Sequence, residues 1–286
     1  MQSVYLDNFK LHDLSDSTAK FFISPPIKGL EFPAIRSTTF PRAGEDGIFI
    51  STLYIGERRI TLNGVMSNLL NQADYVIQRQ AFFATCSPIR DQNNLPITRI
   101  LRFTALDGNT YQVQCQVIKA LMPMEQISYA KWSLDLLASS VSIENYNATT
   151  TSVSPYVGGG VILPDILPVI FSAGSGGIIS TINNGNANAF PIITLNGLLT
   201  NPRIENSTLG KFFYLSLSIP LGASVVIDMQ NRTVVQGLVT NQISSKSSDS
   251  KFWWLQSGAN TIKLTTSSGA DTGNASIVYR DSYSGI

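Results

Sequence analysis

Hydrophobic and polar positions alternate strictly in three places in the first half of the chain. Over residues 59–65, Ile60, Leu62 and Gly64 fall on one face and Arg59, Thr61 and Asn63 on the other, the pattern of a strand with one wet side. Residues 110–118 put Tyr111, Val113, Cys115 and Val117 against Thr110, Gln112, Gln114 and Gln116. A mostly apolar run at 98–106 and the dipeptide Asp107-Gly108 come just before, so the two runs predict a tight hairpin. Residues 129–138 place Trp132, Leu134, Leu136 and Ala138 on one side of a further strand. Between these runs the period changes. Leu69, Leu70, Ala73, Val76, Ile77, Ala81 and Ala84 recur at three- and four-residue spacing, which predicts a helix over 68–84 with that stripe against a sheet. Asn71 with Asp74 three residues on resembles a capping pair, Ser67 or Asn68 are equal candidates for the start, and Pro88 ends the helix. Short strands are expected around 4–14 and 21–23. Together these elements predict an N-terminal β-sandwich with one packed helix.

The pattern loosens from Ser139 onward. A Thr/Ser-rich stretch at 147–155 and Gly158-Gly-Gly160 have the composition of a flexible linker. Beyond them no helical period occurs. Short β-rich runs such as 190–195, 212–219, 224–228, 252–255, 261–265 and 275–279 are divided by turn signals including Asn196-Gly, Gln236-Gly and Ser257-Gly, as in an antiparallel sandwich or jelly roll. The chain is therefore read as mainly β, in two domains, 1–150 and 151–286.

The first domain reads as a setting for residues 28–64. Pro33 keeps the residue before it extended. Gly44 and Gly47 bracket Glu45-Asp46, which suits a turn needing positive φ better than a metal site. An extended entry, a long polar loop and a return strand describe either a loop held by a sandwich and offered to a neighbour or an ordinary surface loop.

Composition removes several function classes. Lys and Arg number 13 against 13 acidic residues up to position 150, and 7 against 6 thereafter, so neither half is a basic patch for nucleic acid or an anionic membrane. Charged residues make up 14% of the chain, against about 25% in typical proteins, which fits neutral polar surface in an assembled structural protein. The longest apolar stretch, 161–171, is broken by Pro164, Asp165 and Pro168 and cannot span a bilayer, and the N-terminus carries no signal-like segment. Catalytic chemistry finds no foothold. His12 is the single histidine and reads as solvated; hydrolase and zinc-protease motifs are absent; Gly158–Gly160 lacks the lysine of a phosphate loop. Glu45, Asp46 and Glu125 sit in turn-like contexts, so no carboxylate pair stands out. Cys86 and Cys115 are too isolated for a metal site and read as buried thiols. No catalytic, metal or cofactor site is expected. Trp253-Trp254 is the one local feature suited to binding: on a strand one indole enters the core and the other can stack on a sugar, with Tyr279 or Tyr283 nearby, although cover of both indoles by core or interface is the favoured reading. Trp254, sharing a face with Phe252, is the expected inward residue.

Taken in order, these residues resemble the distal tail proteins of long-tailed, non-contractile bacteriophages. The resemblance rests on Gly29-Leu-Glu-Phe-Pro-Ala-Ile-Arg36, the turn ending Asp46-Gly47, Arg58-Arg-Ile-Thr-Leu-Asn-Gly64 and the helix after it. In the second half it rests on Ile193-Thr-Leu-Asn-Gly197, Asn201-Pro-Arg-Ile204, Gly222 with Val226-Ile-Asp228, Phe252-Trp-Trp-Leu-Gln-Ser-Gly-Ala-Asn260 and Ala275-Ser-Ile-Val-Tyr-Arg-Asp-Ser-Tyr-Ser-Gly285. It implies an N-terminal domain that builds a hexameric ring and an outer galectin-like sandwich. The ring would be a hub between the tail tube protein and a tail-associated lysin or fibre protein, touching the tape measure protein and leaving a channel for DNA. It implies no enzyme activity, no cofactor, no sequence-specific nucleic-acid binding and no membrane insertion. The expected location is the virion tail tip, after synthesis and assembly in the host cytoplasm. The alternative function is a carbohydrate-binding adsorption module, with Trp253 or Trp254 stacking on host glycans.

Overall fold

The computed structural model describes residues 1–123, 129–156, 177–237 and 239–286; Glu125, Gly158–Gly160 and the apolar run 161–171 lie outside them. Two compact units divide the chain. Unit 1 comprises Met1–Tyr146 together with Tyr283–Ile286, and unit 2 is Asn147–Ser282.

Unit 1 contains β1 (Ser3–Leu6), β2 (Phe9–Asp13), β3 (Phe21–Ile23), β4 (Ile35–Arg36), β5 (Thr39–Pro41), β6 (Ile48–Ile50), β7 (Tyr54–Ile55), β8 (Arg59–Met66), α1 (Gln72–Cys86), β9 (Arg99–Thr104), β10 (Thr110–Leu121), β11 (Ala130–Ala138) and β12 (Ile143–Asn145). The main sheet runs β2-β1-β9-β10-β11-β8-β3. Its two ends meet: the Ile23 N–H on β3 donates to His12 Nδ1 on β2 at 3.3 Å, so the sheet rolls around its own core. The alternation read from the sequence sets the inward side. Ile60, Leu62, Tyr111, Val113, Cys115, Trp132, Leu134 and Leu136 are all buried in one cluster. Gly64 has a packing role there. A Cβ at this position would lie 2.5 Å from the Trp132 indole, so glycine lets that ring lie across β8.

The helix begins later than 68, and Asn71 is its cap: Asn71 Oδ1 accepts from the Asp74 N–H at 3.0 Å, and Asp74 in turn accepts from the Leu70 N–H at 3.0 Å. Its predicted inner stripe is a correction. Tyr75, Phe82 and Cys86 are the buried residues, with Phe82 stacked on Phe21 at 5.9 Å. Leu70 is 83% exposed and Ile77 59%. The rings of Tyr75 and Phe82 take the core in place of the aliphatic stripe because each removes more area from water, and the small Cys86 follows on the same face.

Unit 2 contains β13 (Thr149–Val153), β14 (Ile178–Asn183), β15 (Ile192–Asn196), β16 (Leu199–Thr200), β17 (Arg203–Asn206), β18 (Lys211–Tyr214), β19 (Ser218–Ile219), β20 (Ser224–Asp228), β21 (Thr233–Gln236), β22 (Thr240–Asn241), β23 (Gly258–Thr265), β24 (Asn274–Tyr279) and β25 (Ser282–Tyr283), the last of which carries the chain into unit 1. One sheet runs β13-β24-β15-β20-β21-β22 and a second β14-β23-β17-β18. Ile193, Val225, Ile227 and Ile277 from the first sheet and Ile204, Phe213, Ile262 and Leu264 from the second share one buried cluster, the core of a sandwich. The chain is thus mainly β with one α-helix among the described residues, as its pattern predicts.

Candidate functional site

Residues 34–56 are not a polar loop. β4 pairs with β7 and β5 with β6, giving a two-stranded hairpin closed by the Arg42 N–H to the Gly47 carbonyl at 3.2 Å. Gly44 and Gly47 take φ of 78° and 105°, the positive values their turn requires. The charged turn dominates a reading by composition, whereas the flanks are apolar. Phe40, Ile48, Phe49, Ile50, Leu53 and Tyr54 are each more than half exposed. Phe49 and Ile50 are neighbours on one strand and point to opposite faces, so neither face of the hairpin is covered. Arg42 lies 5.0 Å from the Phe49 ring centroid and Arg36 5.9 Å from that of Tyr54, partly screening two rings. An isolated two-stranded hairpin is marginal in water, and so much contiguous exposed hydrocarbon marks an interaction surface.

The hairpin's root is built around Arg58, which is 2% exposed. Its Nε donates to the Val141 carbonyl (2.9 Å), one terminal nitrogen to Gly29 (2.6 Å) and Glu31 (2.9 Å), and the other to Ser284 (2.7 Å). Burial lowers the guanidinium pKa while the nearby Glu31 charge opposes that shift. Four carbonyls from three chain segments therefore stand in for the water this charge has lost. Gly29 holds φ at 93°, and a Cβ there would sit 1.8 Å from the Arg59 carbonyl oxygen, so no other residue fits at this crossing.

The two adjacent tryptophans do face opposite ways, but in the other sense from that expected. Trp253 is fully buried beside Leu255, and Trp254 is half-buried. Leu255, bridged to Ala189, sets the inward parity, while Phe252 lies at the core margin on Phe213 with centroids 4.8 Å apart. The Lys211 ammonium sits 3.6 Å from the Trp254 ring centroid, and Phe190 meets its edge at 6.3 Å. Tyr279 is buried, accepting from Thr181 and donating to the Ile182 carbonyl, both at 2.8 Å. Tyr283 belongs to unit 1 and packs edge-on to Tyr111 at 5.4 Å. The proposed aromatic platform is thus reduced to Trp254 and Phe190.

His12 is buried rather than solvated; burial and the N-terminal amine lower its pKa, Asp13 and a backbone bond at Met1 opposing. It lines an apolar cavity of about 590 Å³ with Val4, Ile23, Ile27, Leu30 and Ile286. Cys86 and Cys115 are free and buried, and desolvation pushes their thiols up to about 11 and about 12. Among the described residues no group of His, Cys, Asp and Glu could hold a metal ion, and no helix is long and apolar enough to cross a membrane.

Residues 184–283 match the family described as siphovirus-type tail component, C-terminal domain (SPP1_Dit). The chain superimposes on the crystal structure of the Dit protein (gp 19.1) of phage SPP1, described as a paradigm of the hub adsorption apparatus in phages infecting Gram-positive hosts. The TM-score is 0.67, with 14% identity, over 98% of both chains. A chain of the phage P2 baseplate in its activated conformation with Ca aligns over 93% of this chain and 92% of its own at 10% identity, with a TM-score of 0.48, too low to bear on the fold. No curated protein matches the sequence significantly. The resemblance to distal tail proteins is shown, by sequence for most of unit 2 and by fold for nearly the whole chain.

Proposed function

We propose that this protein is a structural hub of a phage tail tip. Copies of unit 1 form a hexameric ring that joins the tail tube protein to a tail-associated lysin or fibre protein, meets the tape measure protein, and leaves a channel for DNA. The observation that carries the reading is the hairpin. Its exposed aromatic and aliphatic side chains on both faces need a covering partner, and in a symmetric ring each copy can supply one to the next. The likeness to a phage hub protein supports the same reading. Electron microscopy and light scattering of the purified full chain test it. Rings are expected, and Phe49→Ser with Ile50→Ser should leave monomers of unchanged fold. A monomeric parent, or a variant that still forms rings, sinks the proposal.

Glycan recognition by unit 2 is the second reading, and the half-exposed Trp254 beside Phe190 is what keeps it. It ranks second because Lys211 already covers one face of that indole. Glycan binding by the parent that disappears in a stable Trp254→Ala variant would promote it.

A further inference from the structure

We propose that residues 283–286 are a strap that fixes the root of the hairpin, so that the hairpin takes up its attitude only after all of unit 2 has been made and these residues have docked. The chain leaves unit 1 after Tyr146 and returns to it at Tyr283. Besides the pairing of β25 with β12, three contacts hold the returning segment. The Ser284 carbonyl accepts from Arg58, the Ile286 N–H donates to the Leu30 carbonyl at 3.0 Å, and Tyr283 packs on Tyr111. Gly285 lies flat on the root: a Cβ there would come within 2.9 Å of the Phe32 nitrogen and 3.0 Å of the Glu31 carbonyl carbon.

Arg58 makes the contact more than a passive one. The same guanidinium bonds Gly29 and Glu31 on the root and Ser284 on the strap, so losing the strap strips an acceptor from a buried charge that also holds the root. Beyond the root the hairpin has little else to orient it, since its side chains are exposed and its few ladder bonds are internal. Synthesis runs from the N-terminus, so the apolar hairpin emerges long before its strap. Until the strap arrives, the hairpin is present but not aimed, which keeps unfinished chains from pairing productively. The strap stands on unit 1 alone; its meaning for assembly order rests on the hub reading.

Hydrogen exchange on two full-fold variants tests this: Gly285→Val, which wedges the strap off the root, and a chain stopped after Ser282. The Gly29 and Gly56 amides, bonded to Glu31 and to the Ala34 carbonyl, should exchange faster by about tenfold or more, as expected for the loss of two hydrogen bonds. The ladder amides between β9 and β10 should keep their protection. Unchanged exchange at the root in Gly285→Val overturns the proposal. So does an equal loss of protection across β9 and β10, which would make residues 283–286 a general support of unit 1. The measurement needs no ring, so failure of the parent to form rings removes the hub reading and leaves this result standing.

Discussion

The two units differ in the feature that sets each apart. Unit 1 carries hydrocarbon on its outside, along the hairpin, at Leu70 just before α1 and at Ile77 on the helix's outer face. Unit 2 puts amides inside: Asn183, Asn206 and Asn260 have no solvent exposure at all. Those amides are satisfied. Asn183 donates to the carbonyls of Ala187 and Leu255 and accepts from the Gly185 and Ser282 N–H groups. Asn206 donates to the Trp254 carbonyl and to Asn260 Oδ1, and Asn260 donates to Gln256 and Gly258. They hold residues 252–256, a stretch with no ladder of its own beyond the Leu255 bridge, and so fix which tryptophan points inward. Unit 2 thus satisfies these buried amides within itself, whereas unit 1 carries a hairpin whose apolar side chains are exposed on both faces.

Substitutions can break that contrast. The largest effect belongs to Trp253→Ala, which should cost about 3–5 kcal/mol in thermal unfolding of unit 2, the usual range for a large core aromatic; Trp254→Ala should cost far less. Equal losses would show that Trp254 is as essential as its neighbour. Asn260→Ala comes next, at about 1–3 kcal/mol, because it strands the Gln256 and Gly258 carbonyls and one donor of Asn206 in the interior. A loss no greater than at a surface asparagine would mean that water replaces the amide freely.

Acidification should weaken unit 1 in two stages. The folded pKa of His12 is lowered, so its contribution is present above the unfolded value near about 6.5 and is lost as pH falls through the folded one. Asp13 follows. The Ser15 hydroxyl chiefly, with the Ser15 N–H, Tyr5 and Lys10, holds its carboxyl far below the usual range. Its contribution is therefore lost only below about pH 4. His12→Gln should remove the first stage and spare the second, measured as melting temperature against pH; a first stage that survives the substitution assigns it elsewhere. The smallest stability effect is expected on the hairpin. Phe49→Ser should change unfolding by no more than about 0.5 kcal/mol, as an exposed position does, while altering association. A large loss of stability would mean that the ring is buried within its own copy.

Strand faces were legible because alternation has one solution once one side is buried: 60, 62, 111, 113, 115, 132, 134 and 136 all point inward as read. The Asn71–Asp74 cap was one of three starts the sequence left open, and the bond from the Asp74 N–H to Asn71 chooses it. The helix face was not legible, since aliphatic spacing and the aromatic pair Tyr75 and Phe82 offered two rival stripes, and only tertiary packing chose between them. Tryptophan parity failed likewise, because Leu255 outweighed Phe252 through a bridge to Ala189 far away in sequence. The hairpin was located but misjudged: a turn of Glu45 and Asp46 hid the apolar flanks. Nothing local marked Arg58 as buried, since its four acceptors are scattered between Gly29 and Ser284.

The return of residues 283–286 to unit 1 also makes unit 2 a guest. Its first strand, β13, pairs with β24 near its last, Thr149 opposite Tyr279, and β25 lies beside β12, so entry and exit are neighbours. In engineering terms this is a cassette with both ends at one port. Joining Tyr146 to Tyr283 through a short glycine-rich turn should yield a minimal arm-bearing scaffold, and other domains with adjacent termini could be spliced in at the same port without disturbing the host.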